Sequence, residues 1–165
     1  GRMAGGTSQP FGEDSASVAA VAYNGISWVA VRNNKLGNTY SSNILYSTDG
    51  EEWHCGRMIG GTQPFGDSGA VYGIAYNGTT SWVVVGYNGD NPYSSTIVYS
   101  NDGEEWHCGR MVGGTQPFGN GLGYGISFNG TSWVAVGDNR DNTNSSTIVY
   151  SSDARIWYKG EMKVN

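Results

Sequence analysis

The sequence predicts an all-β fold made of three tandem copies of one four-stranded antiparallel unit. The composition favours strands over helix, because 27 of the 165 residues are Gly and strong helix formers are scarce. The order Gly-Arg-Met recurs at Gly1, Gly56 and Gly109, at the start of each copy. A repeat of this length is the signature of stacked or radial architectures. The copies span residues 1–55, 56–108 and 109–165 and together form one domain.

Turn signals divide each copy into four strands. The first strand ends in Asn-Gly, a pair that tolerates positive φ in a tight hairpin, at residues 24–25, 77–78 and 129–130. The second begins Ser-Trp-Val, the third is Ile-Leu-Tyr or Ile-Val-Tyr, and the fourth starts near the second tryptophan. These strands are apolar without alternation, which predicts sheets covered on both faces. Such units, at a period of 51 to 55 residues, describe blades of the β-propeller type. A two-sheet sandwich is the alternative, but its outer faces would need polar residues.

Three blades are too few to close a ring, because propellers have about four to eight. We therefore expect an incomplete propeller whose apolar blade faces are left open at both ends, with a missing strand that comes from elsewhere. The sequence thus predicts a non-enzymatic structural protein, extracellular or at a surface, whose copies associate head to tail into a ring or filament. Residues 160–165 depart from the repeat and are expected to carry that contact.

A Ser-x-Asp turn precedes the second tryptophan of every copy. Its positions are Ser47, Asp49, Gly50, Trp53, Ser100, Asp102, Gly103, Trp106, Ser151, Asp153 and Trp157. The turn resembles the Asp-box of sialidase-like (BNR) propeller repeats, with one residue fewer between Asp and Gly, and the third copy lacks the Gly. The resemblance implies a structural hairpin between the last two strands of a blade, remote from any active site. The carboxylate can accept hydrogen bonds from amides of its own turn, while the Trp packs between blades.

Charge and hydropathy exclude two classes of partner. A net charge of −5 and a pI near 4.8 provide no basic stripe for nucleic acid. No apolar run is long enough to span a bilayer, so membrane insertion is not expected. The pattern calls for no cofactor, and the remaining partners are a second copy of the chain or a carbohydrate.

The sequence motifs give little support to an enzymatic function. Arg2, Arg57 and Arg110 occur once per copy, whereas the carboxylate-binding arginines of sialidases occupy different places in different blades. The pairs Glu51–Glu52 and Glu104–Glu105 are adjacent on a strand, so only one of each pair could face a given site. The third copy has no acid there. A fragment of a sialidase-like hydrolase is therefore the weakest hypothesis.

The two cysteines lie in identical His-Cys dipeptides, at 54–55 and 107–108. Two His and two Cys are suitable zinc ligands, but adjacent strand residues diverge to opposite faces, so we expect no metal site. A disulfide is favoured instead, either between Cys55 and Cys108 or between chains.

The polar loop after the second strand is the place where a sugar would bind if the protein were a multivalent lectin. In the third copy it holds Asp138, Asn139, Asp141 and Asn142, which could also hold calcium, although such runs are commonly just solvated loops. Glycosylation acceptor patterns begin at Asn77, Asn129 and Asn144. The first two also fit the steric demand of the Asn-Gly hairpin, so the pattern is not specific.

Overall fold

A computed structural model describes residues 1–5, 17–33, 42–60, 64–66, 68–89, 95–140 and 146–164. Within these ranges the chain is all-β, with strands in three sheets and no helix. Sheet A contains β1 (Arg2–Met3), β2 (Ser17–Tyr23), β3 (Trp28–Asn33), β4 (Ile44–Ser47) and β5 (Glu52–Cys55). Sheet B contains β6 (Arg57–Met58), β7 (Ala70–Tyr76), β8 (Trp82–Tyr87), β9 (Ile97–Ser100) and β10 (Glu105–Cys108). Sheet C contains β11 (Arg110–Met111), β12 (Leu122–Phe128), β13 (Trp133–Asp138), β14 (Ile148–Ser151) and β15 (Ile156–Lys159).

Each sheet has five strands, so the prediction of four antiparallel strands per unit is wrong in this detail. The strand order in sheet A is β1-β5-β4-β3-β2, and sheets B and C repeat it. Four strands form an antiparallel meander, and the fifth is a two-residue Arg-Met strand parallel to the last one. All five strands of a sheet come from one copy of the repeat, so the expected borrowed strand is not needed in the described residues.

Tight hairpins join the first two strands of the meander in each sheet. Gly25, Gly78 and Gly130 have φ values of 96°, 80° and 96°, a region that glycine enters without steric cost. The amide oxygen of the preceding asparagine accepts backbone N–H bonds from the turn, as in Ser27 N–H to Asn24 Oδ1 at 2.6 Å. These local bonds fix the register in which Tyr23 pairs with Trp28.

The sheets pack face to face in sequence order. The inner-edge strands β2, β7 and β12 lie side by side, with β7 in contact with both neighbours. Sheet B is therefore covered on both faces, by sheet A on one side and sheet C on the other. The three sheets do not close into a ring, and the architecture is compatible with part of a β-propeller. The described residues contain no helical segment long and apolar enough to cross a bilayer.

Candidate functional site

The Ser-x-Asp turn between the last two strands of each sheet is closed by its own hydrogen bonds. In sheet B, the Asp102 carboxylate accepts a hydrogen bond from the Ser100 hydroxyl at 2.8 Å. It also accepts bonds from the backbone amides of Glu104 (2.8 Å) and Glu105 (2.9 Å). The same bonds recur in sheets A and C. The three carboxylates are thus engaged by the backbone of their own turns.

The turn survives the loss of its glycine in sheet C. Gly50 and Gly103 have φ values of 77° and 85°, and Ala154 occupies the same place with φ of 66°. A left-handed alanine costs roughly 1 kcal/mol or more. The Ala154 N–H donates to the Ser151 hydroxyl at 3.0 Å, and the Trp157 indole donates to the Ala154 carbonyl at 3.0 Å. These bonds hold the backbone in a conformation that alanine alone would avoid.

The turn hydrogen bonds also lower the pKa values of the aspartates. Bonds from the amides of Glu52 and Glu51 hold the pKa of the Asp49 carboxyl below its usual value. At Asp102 and Asp153, partial burial raises the pKa, but the hydrogen bonds of the turn outweigh burial and the net shift is downward. All three groups are therefore carboxylates at neutral pH, and none has the raised pKa of a general acid.

The turns of sheets B and C each lie against the sheet that precedes them in the sequence. A Cβ atom added to Gly103 would lie 3.0 Å from Cγ2 of Val29 in sheet A. Arg155 in sheet C lies over the Tyr99 ring of sheet B, with its guanidinium carbon 5.7 Å from the ring centroid. The turn is therefore part of the contact between neighbouring sheets.

Polar side chains bind the Gln-Pro-Phe-Gly segment of the following repeat, a contact that the sequence did not predict. The Asn43 side chain donates to the carbonyl oxygens of Pro64 (3.3 Å) and Gly66 (3.0 Å). In the next pair of sheets, the hydroxyl of Thr96 donates to the carbonyl oxygen of Pro117. The recurrence of this segment in all three copies was the available signal.

We name the two sheet contacts junction AB and junction BC. Junction AB packs Val29, Val31 and Ile44 of sheet A on Met58, Val84, Val98 and Trp106 of sheet B. Junction BC packs Val83, Val85 and Ile97 of sheet B on Met111, Ala135, Val149 and Trp157 of sheet C. Corresponding repeat positions fill the two junctions, so both have the same design.

The outer face of sheet C exposes the residues that the junctions bury. This surface, the tail face, consists of Val134, Val136, Ile148 and Tyr150. Their exposed fractions are 38%, 43%, 49% and 46%, whereas the valines and isoleucines at the same positions of sheets A and B are 0% exposed. No other described sheet packs on it.

The outer face of sheet A carries the other half of a junction. This face, the head face, consists of Met3, Ala30, Leu45, Trp53 and Cys55, of which Ala30 and Leu45 are already buried within the chain (5% and 0% exposed). Its Met and Trp are only half-buried, whereas their counterparts in sheets B and C are at most 2% exposed. The chain thus ends in two unlike surfaces that match the two sides of its internal junctions.

The structure has no disulfide between Cys55 and Cys108. Cys55 belongs to the head face, whereas Cys108 packs in junction AB, so sheet A lies between them. Burial raises the pKa of the Cys108 thiol. Each adjacent histidine stacks on a tyrosine instead, as in His54 on Tyr46 with centroids 5.1 Å apart. A disulfide between chains stays a prediction.

The structure describes only some of the residues that the sequence offers as metal or sugar ligands. No group of three or more His, Cys, Asp or Glu side chains there could hold a metal ion. Asp138 is paired with Arg140 at 2.7 Å, and Asn139 is half-buried beside it. Asp141, Asn142 and Asn144 lie outside the described residues. The Asn77 and Asn129 side chains cap their hairpins through bonds from backbone amides.

The repeated arginines lie on the outer edges of the sheets. Arg2, Arg57 and Arg110 are spread over β1, β6 and β11, one per sheet, and do not form the cluster of a carboxylate site. Arg2 is in register with Glu52, so the second acid of the first pair faces the edge strand.

Comparisons with protein families, with curated proteins and with solved structures find no match to this chain.

Proposed function

We propose that the chain is a non-enzymatic structural protein that self-associates head to tail. The tail face of one copy packs on the head face of the next, as sheets pack within the chain. The observation that carries the proposal is the exposure of the tail-face valines and isoleucine, whose counterparts are fully buried in the internal junctions. Removing such apolar surface from water contributes about 25 cal/mol per Å².

The two surfaces differ from each other, which favours a heterologous contact over a symmetric one. Val83 and Val85 pack on Trp157, and no internal junction pairs two tail-type faces. A head-to-tail contact repeats without limit unless the rotation closes it. Each chain supplies three sheets, so two chains would supply six. This number lies within the range of about four to eight blades known for closed propellers. A ring of two chains and an open filament both follow from the same junction.

The C-terminal tail is not needed for this junction. Gly160 N–H donates to the Ile148 carbonyl at 2.7 Å, as Gly56 does to Ile44. After Gly56, the chain enters the edge of the next sheet, and the corresponding edge of sheet A is already filled by Arg2–Met3. We therefore propose that the head face and the tail face make the contact, rather than residues 160–165 as the sequence predicted.

Removing residues 161–165 is expected to leave the dissociation constant of the head-to-tail contact within about twofold of its original value. The reason is the filled edge of sheet A, where Arg2 N–H already donates to the Glu51 carbonyl at 2.7 Å. Analytical ultracentrifugation of the shortened and full chains measures this constant. If the shortened chain stays monomeric, residues 161–165 make the contact and the proposal is wrong on this point.

Two blocking variants test the junction. Val136→Asp places a charge on the tail face, and Gly50→Asn places a side chain on the head face, where the counterpart Gly103 approaches Val29. Asparagine tolerates the positive φ of Gly50, whose Cβ position has only an ordinary contact with Trp28. Each variant alone is expected to lose association by roughly 100-fold, because burial of an unpaired charge or overlap of packed atoms costs several kcal/mol.

An equimolar mixture of the two variants retains one intact tail face and one intact head face. Sedimentation velocity is therefore expected to find dimers in the mixture and monomers of 17.6 kDa in each variant alone. Ile26→Asp and Gly25→Asn are matched controls, since Ile26 is an exposed hairpin residue and the Cβ position of Gly25 has no neighbour within 4 Å. A monomeric original chain at all concentrations would refute the proposal, and dimers of Gly50→Asn alone would indicate a symmetric tail contact.

A further inference from the structure

The residue after the glycine position of each Ser-x-Asp turn meets a tyrosine of the preceding sheet. In junction AB this residue is Glu104, and burial together with the nearby Glu104 carboxylate raises the pKa of the Tyr46 hydroxyl. In junction BC it is Arg155, which lies over the ring of Tyr99. The two contacts have the same place in the repeat but different chemistry, because a tyrosine offers a hydroxyl to an anion and a ring face to a cation.

The tyrosine ring is held in place by an aromatic neighbour on the last strand of its own sheet. Tyr46 stacks on His54 and Tyr99 on His107, with centroids 5.1 and 5.2 Å apart. In sheet C, the corresponding Tyr150 stacks on Tyr158 at 5.5 Å. The Tyr150 ring is therefore supported in the same way as the rings of Tyr46 and Tyr99. In the described residues, however, no turn of a following sheet covers it.

Tyr150 is open to a partner. Its exposed fraction is 46%, and an open groove of about 570 Å³ lies beside it. Lys159, Glu161 and Lys163 also line this groove; the charges of Glu161 and Lys163 offset each other, and Lys159 leaves the groove with one positive charge. The Tyr150 ring is tilted by 24° against its stacking partner, close to the 22° of Tyr46 and the 17° of Tyr99.

We propose that Tyr150 of one copy receives Glu51 of a second copy and is a specificity-determining residue of the head-to-tail contact. Glu51 has the place in sheet A that Glu104 and Arg155 have in sheets B and C. In this contact the tyrosine hydroxyl donates to the glutamate carboxylate. Because the ring also accepts a cation, the site takes a turn with either Glu or Arg at this position and discriminates against a small apolar residue. This inference rests on the proposed function.

The test uses the two blocked copies, which can form one junction only. Gly50→Asn supplies the tail face with Tyr150, and Val136→Asp supplies the head face with Glu51. In this pair, Glu51→Ala is expected to weaken association about 10-fold, because a hydrogen bond to a charged group is lost. Glu51→Arg is expected to stay within about threefold of the original, because the arginine takes the arrangement of Arg155.

The hydroxyl separates the two modes of contact. Tyr150→Phe is expected to weaken binding of the original Glu51 head about 10-fold but to leave binding of the Glu51→Arg head nearly unchanged. Glu52→Ala is the matched control and is expected to change binding less than twofold, since this acid is in register with Arg2 at the edge. Equal losses for Glu51→Ala and Glu51→Arg, or no loss for either, would overturn the inference. If the two blocked copies do not associate at all, the proposed function itself fails.

Discussion

Trp106→Ala is expected to lower the free energy of unfolding by about 3–5 kcal/mol, the range for removing a large buried aromatic side chain. Trp106 is fully buried in junction AB, and its indole donates to the Gly103 carbonyl at 3.1 Å. Replacement therefore removes apolar contacts to sheet A and a bond that closes the turn. Denaturant unfolding in the monomeric Val136→Asp background measures the loss without a contribution from association.

Trp53→Ala is the matched control at the same place in sheet A. Trp53 makes the corresponding bond to Gly50 at 3.2 Å but is only half-buried, because no described sheet covers the head face. We expect it to lose about half as much stability as Trp106→Ala in the monomer. The same variant should weaken association in the original chain. Equal losses at both positions in the monomer would contradict the assignment of Trp106 to a sheet junction.

The repeat and its hairpins were predictable because their signals are local. The Asn-Gly pairs determine where the first strand turns back, and Ser-Trp-Val marks the second strand in every copy. The turn around Asp102 was predictable for the same reason, since the side chain and its amide partners lie within three residues. Repetition then extends each local inference to all three sheets.

The fifth strand and the Asn43 contact depend on pairs that are distant in sequence. The Arg57–Met58 strand has two residues and joins β10 in parallel, so it has neither a periodic pattern nor a turn to reveal it. Asn43 reaches Pro64 across a junction, and nothing in a polar residue before a strand indicates such a partner. The backbone conformation of Phe65 was not predicted either. Phe65 is buried and has a φ of 63°, a value that is usual for glycine and uncommon for a bulky residue.

The tail face can be identified only from the sequence and the structure together. Val136 and Ile148 look like core residues in the sequence, because their counterparts Val31 and Ile44 are core residues. Only the arrangement of the sheets reveals that sheet C presents them to solvent. A repeat predicts the same burial for corresponding side chains. Positions whose exposed fraction differs between the copies, such as Val136, therefore mark a candidate interaction surface.

Replacing two turn aspartates together, Asp102→Ala with Asp153→Ala, is expected to lower the free energy of unfolding by about 2–4 kcal/mol. Each carboxylate accepts one hydroxyl and two amide bonds, and its partly exposed donors recover some of the loss by binding water. The turns lie in different sheets, so the single losses of about 1–2 kcal/mol should add. Asp138→Ala, which removes an exposed pair with Arg140, is the control and should cost less than about 0.5 kcal/mol.

The same carboxylates set an acid limit on stability. Their pKa values are lowered in the folded chain, so the unfolded chain binds more protons as the pH falls towards and below the usual value of about 3.9. Their stabilising contribution is therefore complete above that pH and is lost as the pH drops through the lower folded values. Denaturant unfolding between about pH 5 and pH 2 should give a shallower decline for the double variant than for its parent, because fewer carboxylates remain to be protonated. Parallel declines would mean that the turn hydrogen bonds do not distinguish the charged from the protonated carboxyl, and the assignment of these aspartates to the stability of the turns would fall with them.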